Sequence, residues 1–175
     1  MSQKIPKCIR PEEFVKLIKV IRQKDVKTKL AFLLSYGAGL RISEVVRCSK
    51  EHFRDNGTIF IPPSKYGKER IVPIPKGWKK EYFKYIPFWD GTTPKNIKDA
   101  TRPLQRKFSI YNKKAGLPEI YTFHSLRHGF ATRCLESGMP INQVQVLLGH
   151  SNISTTSVYT RANPTDAIKS YEGLF

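Results

Sequence analysis

Two short runs of β-branched and aromatic residues, Thr58-Ile59-Phe60-Ile61 and Arg70-Ile71-Val72-Pro73-Ile74, are the only strong strand signals in the chain. They limit its fold more than any other feature. Between them lies Pro63-Ser64-Lys65-Tyr66-Gly67-Lys68, so the pair reads as an antiparallel hairpin with a basic tip. Pro73 has no backbone N–H, which confines its strand to an edge or to a strand end. All other periodic segments are helical, and the fold class is therefore α+β, mainly helical, with one small antiparallel sheet between helices.

The helices are predicted from apolar stripes and their stop signals. Phe14, Leu17, Ile18 and Ile21 share one face of a helix over 11–22, opened by Pro11-Glu12-Glu13. A second helix covers 25–36, stopped by Gly37 and Gly39, and a third starts close to Arg41-Ile42-Ser43-Glu44. Residues 78–86 read as a short helix and 87–94 as a loop. A helix over 101–115 is capped by Thr101, carries Pro103 in its first turn and buries Leu104, Phe108 and Tyr111. Helices over 123–137 and 141–148 follow, parted by Gly138 and Pro140. No internal repeat interrupts this order, and 175 residues fit one domain with one core.

Charge then narrows the function. A net charge of +17 points to a polyanionic partner, and nucleic acid fits it best. Residues 121–175 hold only four Lys or Arg against three Asp or Glu, so nearly all of the excess lies upstream. A membrane surface is the competing partner, but no lysine-rich amphipathic helix or lipidation signal is present. Cys8, Cys48 and Cys134 lack Cys-x-x-Cys spacing, which gives no zinc site and suits a reducing compartment. Without a signal peptide or a long apolar run the chain reads as soluble and cytoplasmic.

The chemistry-bearing residues crowd into 122–161. His124 and Arg127, three apart, share one helix face, His150 follows the helix-ending Gly149, and Tyr159 comes nine residues later. Breaking a phosphodiester without metal needs charge neutralisation on the non-bridging oxygens, a proton for the leaving oxygen and an in-line nucleophile. Arginine suits the first task, being permanently charged and bidentate towards phosphate. Arg127 is one candidate, and Arg41, after a Gly-Ala-Gly-Leu turn, is the second. A lysine on the hairpin tip or a histidine suits the second task, and a tyrosine the third, since it forms a stable ester.

Taken together, His124-x-x-Arg127-His128, Leu148-Gly149-His150 and Tyr159 resemble the signature of the tyrosine recombinase (phage integrase) family. Gly39-Leu40-Arg41-Ile42-Ser43-Glu44 resembles that family's first arginine box, and Lys65-Tyr66-Gly67-Lys68-Glu69-Arg70-Ile71-Val72-Pro73 its β-hairpin lysine segment. The resemblance implies the tyrosine recombinase catalytic-domain fold, with Arg41 and Arg127 clamping the scissile phosphate of double-stranded DNA. It makes Lys65 the general acid, with Lys68 as the alternative, and otherwise a DNA contact like Arg70. His124 would act as base or proton partner, His150 would bond the phosphoryl oxygens, and Tyr159 would form a 3′-phosphotyrosyl link. No metal and no cofactor is implied.

The family usually places a DNA-clamping domain ahead of the catalytic one. Here the whole of 1–175 reads as catalytic domain, so salt-sensitive DNA binding of low sequence specificity is expected. The tail, 163–175, either packs on its own domain or docks on a neighbour in a synaptic tetramer. Two other functions stay open at this stage: DNA relaxation of the type IB topoisomerase kind, and a non-catalytic DNA-binding module.

Overall fold

Three aromatic rings from three helices mark the centre of the molecule. Phe32, Phe108 and Phe123 pack at steep angles with centroids 5.5–6.2 Å apart, a geometry that sets ring edges against ring faces. The structure, a computed structural model, describes residues 7–63, 69–86, 97–149 and 164–172. Those residues form α1 (Pro11–Lys19), α2 (Val26–Ala38), α3 (Ile42–Arg47), β1 (Thr58–Ile61), β2 (Arg70–Pro73), α4 (Ile97–Lys114), α5 (Phe123–Glu136), α6 (Ile141–Leu148) and α7 (Pro164–Glu172). The described residues are thus mainly helical with a two-stranded sheet, as the sequence pattern requires.

β1 and β2 pair antiparallel, with Thr58 opposite Pro73 and Ile61 opposite Arg70. Ile59, Ile61 and Val72 drop into the main core beside Leu34, Leu40 and Val45. α5 packs against α2 and carries the core onward to a second cluster, in which Phe130 and Cys134 meet Val144, Leu147 and Leu148 of α6. Both ends of α5 are therefore fixed, and its first turns are held in place for the site described below.

Several boundaries move for physical reasons. α4 begins at Ile97 rather than Thr101, because Ile97 and Ala100 extend the stripe of Leu104 and Phe108 against the core. Thr101 is consequently inside the helix, where its hydroxyl donates back to the Lys98 carbonyl at 3.1 Å instead of capping. α1 stops at Lys19, three residues early, although Ile21 still reaches the core. The segment expected as a short helix over 78–86 is a 3-10 helix at Lys80–Tyr85. Its aromatic rings, with Phe53 and Trp78, stack into a surface cluster.

In the tail, Ile168 and Tyr171 of α7 join the second cluster, and the Tyr171 hydroxyl donates to the Gly37 carbonyl at 2.8 Å. The hairpin tip and the loop over 87–94 lie outside the described residues. Among the described residues no helix is long and apolar enough to cross a membrane.

Because Phe108 is 1 % exposed and bridges the other two rings, Phe108→Ala should cost about 3–5 kcal/mol of unfolding free energy. Urea denaturation measures this; a loss under about 1 kcal/mol would show that the ring triad is not the packing centre.

Candidate active site

The site is built around the C-terminus of α6. Val144, Leu147 and Leu148 bury one face of that helix, and Gly149 ends it in the left-handed region at φ 64°, where a side chain would be strained. A Cβ on Gly149 would also stand 2.8 Å from Cδ of Arg70. The last carbonyls of a helix have no partner inside it and carry partial negative charge. Here three consecutive ones are each taken by a different arginine. Nε of Arg70 donates to Leu147 O at 2.7 Å, Nη2 of Arg127 to Leu148 O at 2.6 Å, and Nη2 of Arg41 to Gly149 O at 3.4 Å.

These arginines come from separate parts of the chain: the N-cap of α3, the start of β2 and the second turn of α5. One carboxylate gathers them. Arg70 donates from both Nη atoms to Glu44, at 2.8 and 2.7 Å, a bidentate pair with side chains 3 % and 7 % exposed. Arg41 donates its backbone N–H at 2.7 Å and its Nη1 at 3.0 Å to the same group, and Nη1 of Arg127 stands 3.8 Å away. Burial pushes the Glu44 carboxyl upward, but the Arg70 hydrogen bonds and charge, the Arg41 amide and the Arg127 charge outweigh it and bring it down to about 2. Glu44 is thus a permanent anion at neutral pH.

Arg127 is 6 % exposed. Its Nη1 also donates to Gly39 O at 2.5 Å, and Gly39, at φ 68°, has no room for a Cβ beside the Phe130 ring at 2.7 Å. The Gly39 turn that ends α2 and the end of α6 are therefore tied by one side chain. Burial, then the charges of Arg41 and Arg70, pull the Arg127 guanidinium downward against Glu44, yet it remains protonated at neutral pH. Arg41, with its side chain 22 % exposed, is the member of the cluster that meets solvent.

His124 sits one turn before Arg127 on α5 and is open to solvent. Partial desolvation by the surrounding protein, the neighbouring His128, and the charges of Arg127 and Arg41 lower its pKa, so its imidazole is neutral at pH 7 and can accept a proton. His128, one turn beyond, is lowered by burial and by Arg127.

Of the residues singled out in the sequence, Arg41, His124 and Arg127 are brought together. Lys65, Lys68, His150 and Tyr159 lie outside the described residues. Arg70, expected as a DNA contact on the hairpin, points inward: its partners are Glu44 and Leu147 O, and it is 6 % exposed. The sequence contained the signal, since residues 70 and 72 share a strand face and Val72 is an obvious core residue. Glu44 was missed as a functional group. Its place three residues after the helix-opening Arg41 is the N3 position from which a carboxylate reaches back to the N-cap amide. Among the described residues no three His, Cys, Asp or Glu side chains form a metal-binding group.

Comparison with known proteins shows what the chain is similar to. Residues 7–166 match the family described as the phage integrase family. The tyrosine recombinase XerA of Thermococcus kodakarensis is 36 % identical over 182 aligned residues, covering 98 % of this chain and 64 % of that protein. The chain thus spans a little under two thirds of that relative. Two solved structures share the fold: the integrase from mycobacterium phage Brujita, with TM-score 0.69 at 20 % identity over 100 % of this chain and 60 % of that one. The other is the XerH site-specific recombinase bound to its palindromic difH substrate in a post-cleavage complex, with TM-score 0.68 at 22 % identity, covering 97 % and 53 %.

The low pKa of Glu44 makes stability depend on acid. Its carboxyl lies at about 2 in the folded chain against 4.5 ordinarily, so the stabilisation is complete above pH 4.5 and vanishes as pH falls through about 2. Over that window this group should account for about 3 kcal/mol. Urea titrations across acid pH should show a clearly shallower fall for Glu44→Gln than for the unsubstituted chain. Parallel curves would mean that the guanidinium groups do not hold this carboxylate.

Proposed function

The chain belongs to the phage integrase family, and we propose that it is the catalytic domain of a site-specific DNA recombinase. It cuts and rejoins DNA strands through a 3′-phosphotyrosyl intermediate. The observation that carries this reading is the convergence of Arg41 and Arg127 on one carboxylate and on adjacent carbonyls at the end of α6. Two fixed guanidinium groups with a common anchor suit a single phosphate, whose non-bridging oxygens gain charge in the transition state.

In this mechanism the Tyr159 oxygen attacks phosphorus, a new P–O bond forms, and the bond to the 5′ oxygen breaks. The leaving oxygen takes a proton from Lys65, or from Lys68 if the hairpin presents that residue instead. His124, neutral at pH 7, takes up the tyrosyl proton, and His150 bonds a phosphoryl oxygen. The ester keeps the energy of the broken bond, so a 5′ hydroxyl from another strand reverses the step and rejoins the DNA. The substrate is double-stranded DNA, to which the +17 charge is suited. Exchange between two duplexes involves four strands, which favours self-association into a synaptic tetramer on DNA. The reaction belongs in the cytoplasm, on chromosomal or viral DNA, as part of a mobile element or a chromosome-processing system.

Incubation with a pool of nicked random-sequence duplexes, followed by a denaturing gel, tests the assignment. Wild type should form a covalent DNA adduct and Tyr159→Phe should form none, while Tyr171→Phe keeps it. An adduct that persists in Tyr159→Phe would refute this nucleophile. Arg41→Ala should slow adduct formation on the order of 10²–10³-fold. The rate should fall on the acid side with an apparent pKa below the ordinary histidine value of 6.5, because His124 is lowered; a midpoint above 6.5 would exclude it as the base.

A further inference from the structure

We propose that Arg70 is a positioning residue that balances the charge of Glu44, so that Arg41 and Arg127 remain available to a phosphate. The inference rests on the phosphate-clamping role given above to those two arginines and assigns the support they need. Three guanidinium groups and one carboxylate share a largely buried cluster, leaving two net positive charges to face a phosphodiester.

Geometry separates the three arginines. Arg70 has the deepest side chain, 3 % exposed, and every donor atom of its guanidinium is engaged inside: two on Glu44 and one on Leu147 O. These bonds use three of its five N–H groups, and burial withholds the other two from a substrate. Arg41 gives Glu44 a single side-chain contact, and Arg127 stands at 3.8 Å, too far for a hydrogen bond. Without Arg70, two acceptor positions on a buried anion would be vacated. An unpaired buried carboxylate is costly and draws in whichever cation is near. Arg127, the nearest cation not yet bonded to it, would close on Glu44 and release Leu148 O or Gly39 O, and Arg41 would be held more tightly. The cluster would also drop to a single net positive charge, weakening its field on a dianionic transition state.

Arg70 further connects three parts of the site through one side chain. It starts β2, the strand that follows the lysine-bearing hairpin segment, and reaches both the α3 carboxylate and the end of α6. The packing of Gly149 against its Cδ completes this join.

The charge-balance account makes a prediction that a merely structural role does not. If the damage in Arg70→Met comes from an uncompensated Glu44, removing that charge as well should repair it. Four proteins are compared: wild type, Arg70→Met, Arg70→Lys, and the double variant Glu44→Gln with Arg70→Met. Two readouts are used: affinity for orthovanadate by calorimetry, as a phosphate mimic, and the rate of adduct formation with the nicked-duplex pool. Arg70→Met should lose on the order of 10²-fold in both. The double variant should regain at least about tenfold over Arg70→Met, and Arg70→Lys should lie nearer to wild type than Arg70→Met does.

A double variant no better than Arg70→Met, with native circular dichroism, overturns the proposal. If Arg70→Met does not fold, the double variant and Arg70→Lys are judged against wild type, and a loss of about 10² in vanadate affinity in the double variant overturns it. Vanadate binding that follows the predicted order while wild type forms no adduct would sustain charge balance and refute the recombinase reading. Wild type that binds no vanadate would refute charge balance itself.

Discussion

A helix end with three unpaired carbonyls and a carboxylate 7 % exposed cannot be left in a protein interior without cations. The cluster of Arg41, Arg70 and Arg127 around Glu44 and the C-terminus of α6 meets that constraint. It also explains why residues over 100 positions apart must come together. Each arginine is held at two places, by the carboxylate or its vicinity and by a different carbonyl. Displacing one of them disturbs α3, β2 or α5, and with it the core those elements share.

The same cluster fixes its charges within the folded chain itself. The side chains are graded in depth, from Arg70 at 3 % and Arg127 at 7 % to Arg41 at 22 % exposed. The outermost charge is thus backed by two inner ones on a rigid scaffold. A preorganised field of this kind does not have to be assembled during the reaction, which is where electrostatic catalysis draws its effect. Gly39 and Gly149, both in the left-handed region, let the main chain turn close to Phe130 and Arg70. Neither turn admits a larger residue without moving the Phe130 ring or the Arg70 side chain.

Much of this was legible in the sequence because helices and strands announce themselves by period. The β1–β2 hairpin, the helices carrying Arg41 and Arg127, and the breaks at Gly39, Gly138 and Gly149 follow from local pattern and agree with the structure. Thr101 looks like a cap and so sets the start of α4 too late, whereas burial of Ile97 and Ala100 decides the boundary. Arg70 reads as a DNA contact because a basic residue near a basic tip suggests an exposed charge. Strand alternation with Val72 turns it inward, but its pairing with Glu44, 26 residues away, is carried by no local pattern. Motif boxes identify which side chains matter together; which of them faces the substrate is set by tertiary burial.

The central claim is that Arg41 and Arg127 act on one phosphate while Arg70 stays behind them. Arginine side-chain resonances, followed by NMR as nicked duplex is added, test it directly. The account predicts that the Arg41 and Arg127 guanidinium signals shift together along a single binding curve and that Arg70 moves far less than either. Separate binding curves for Arg41 and Arg127, or a shift of Arg70 as large as theirs, would contradict it.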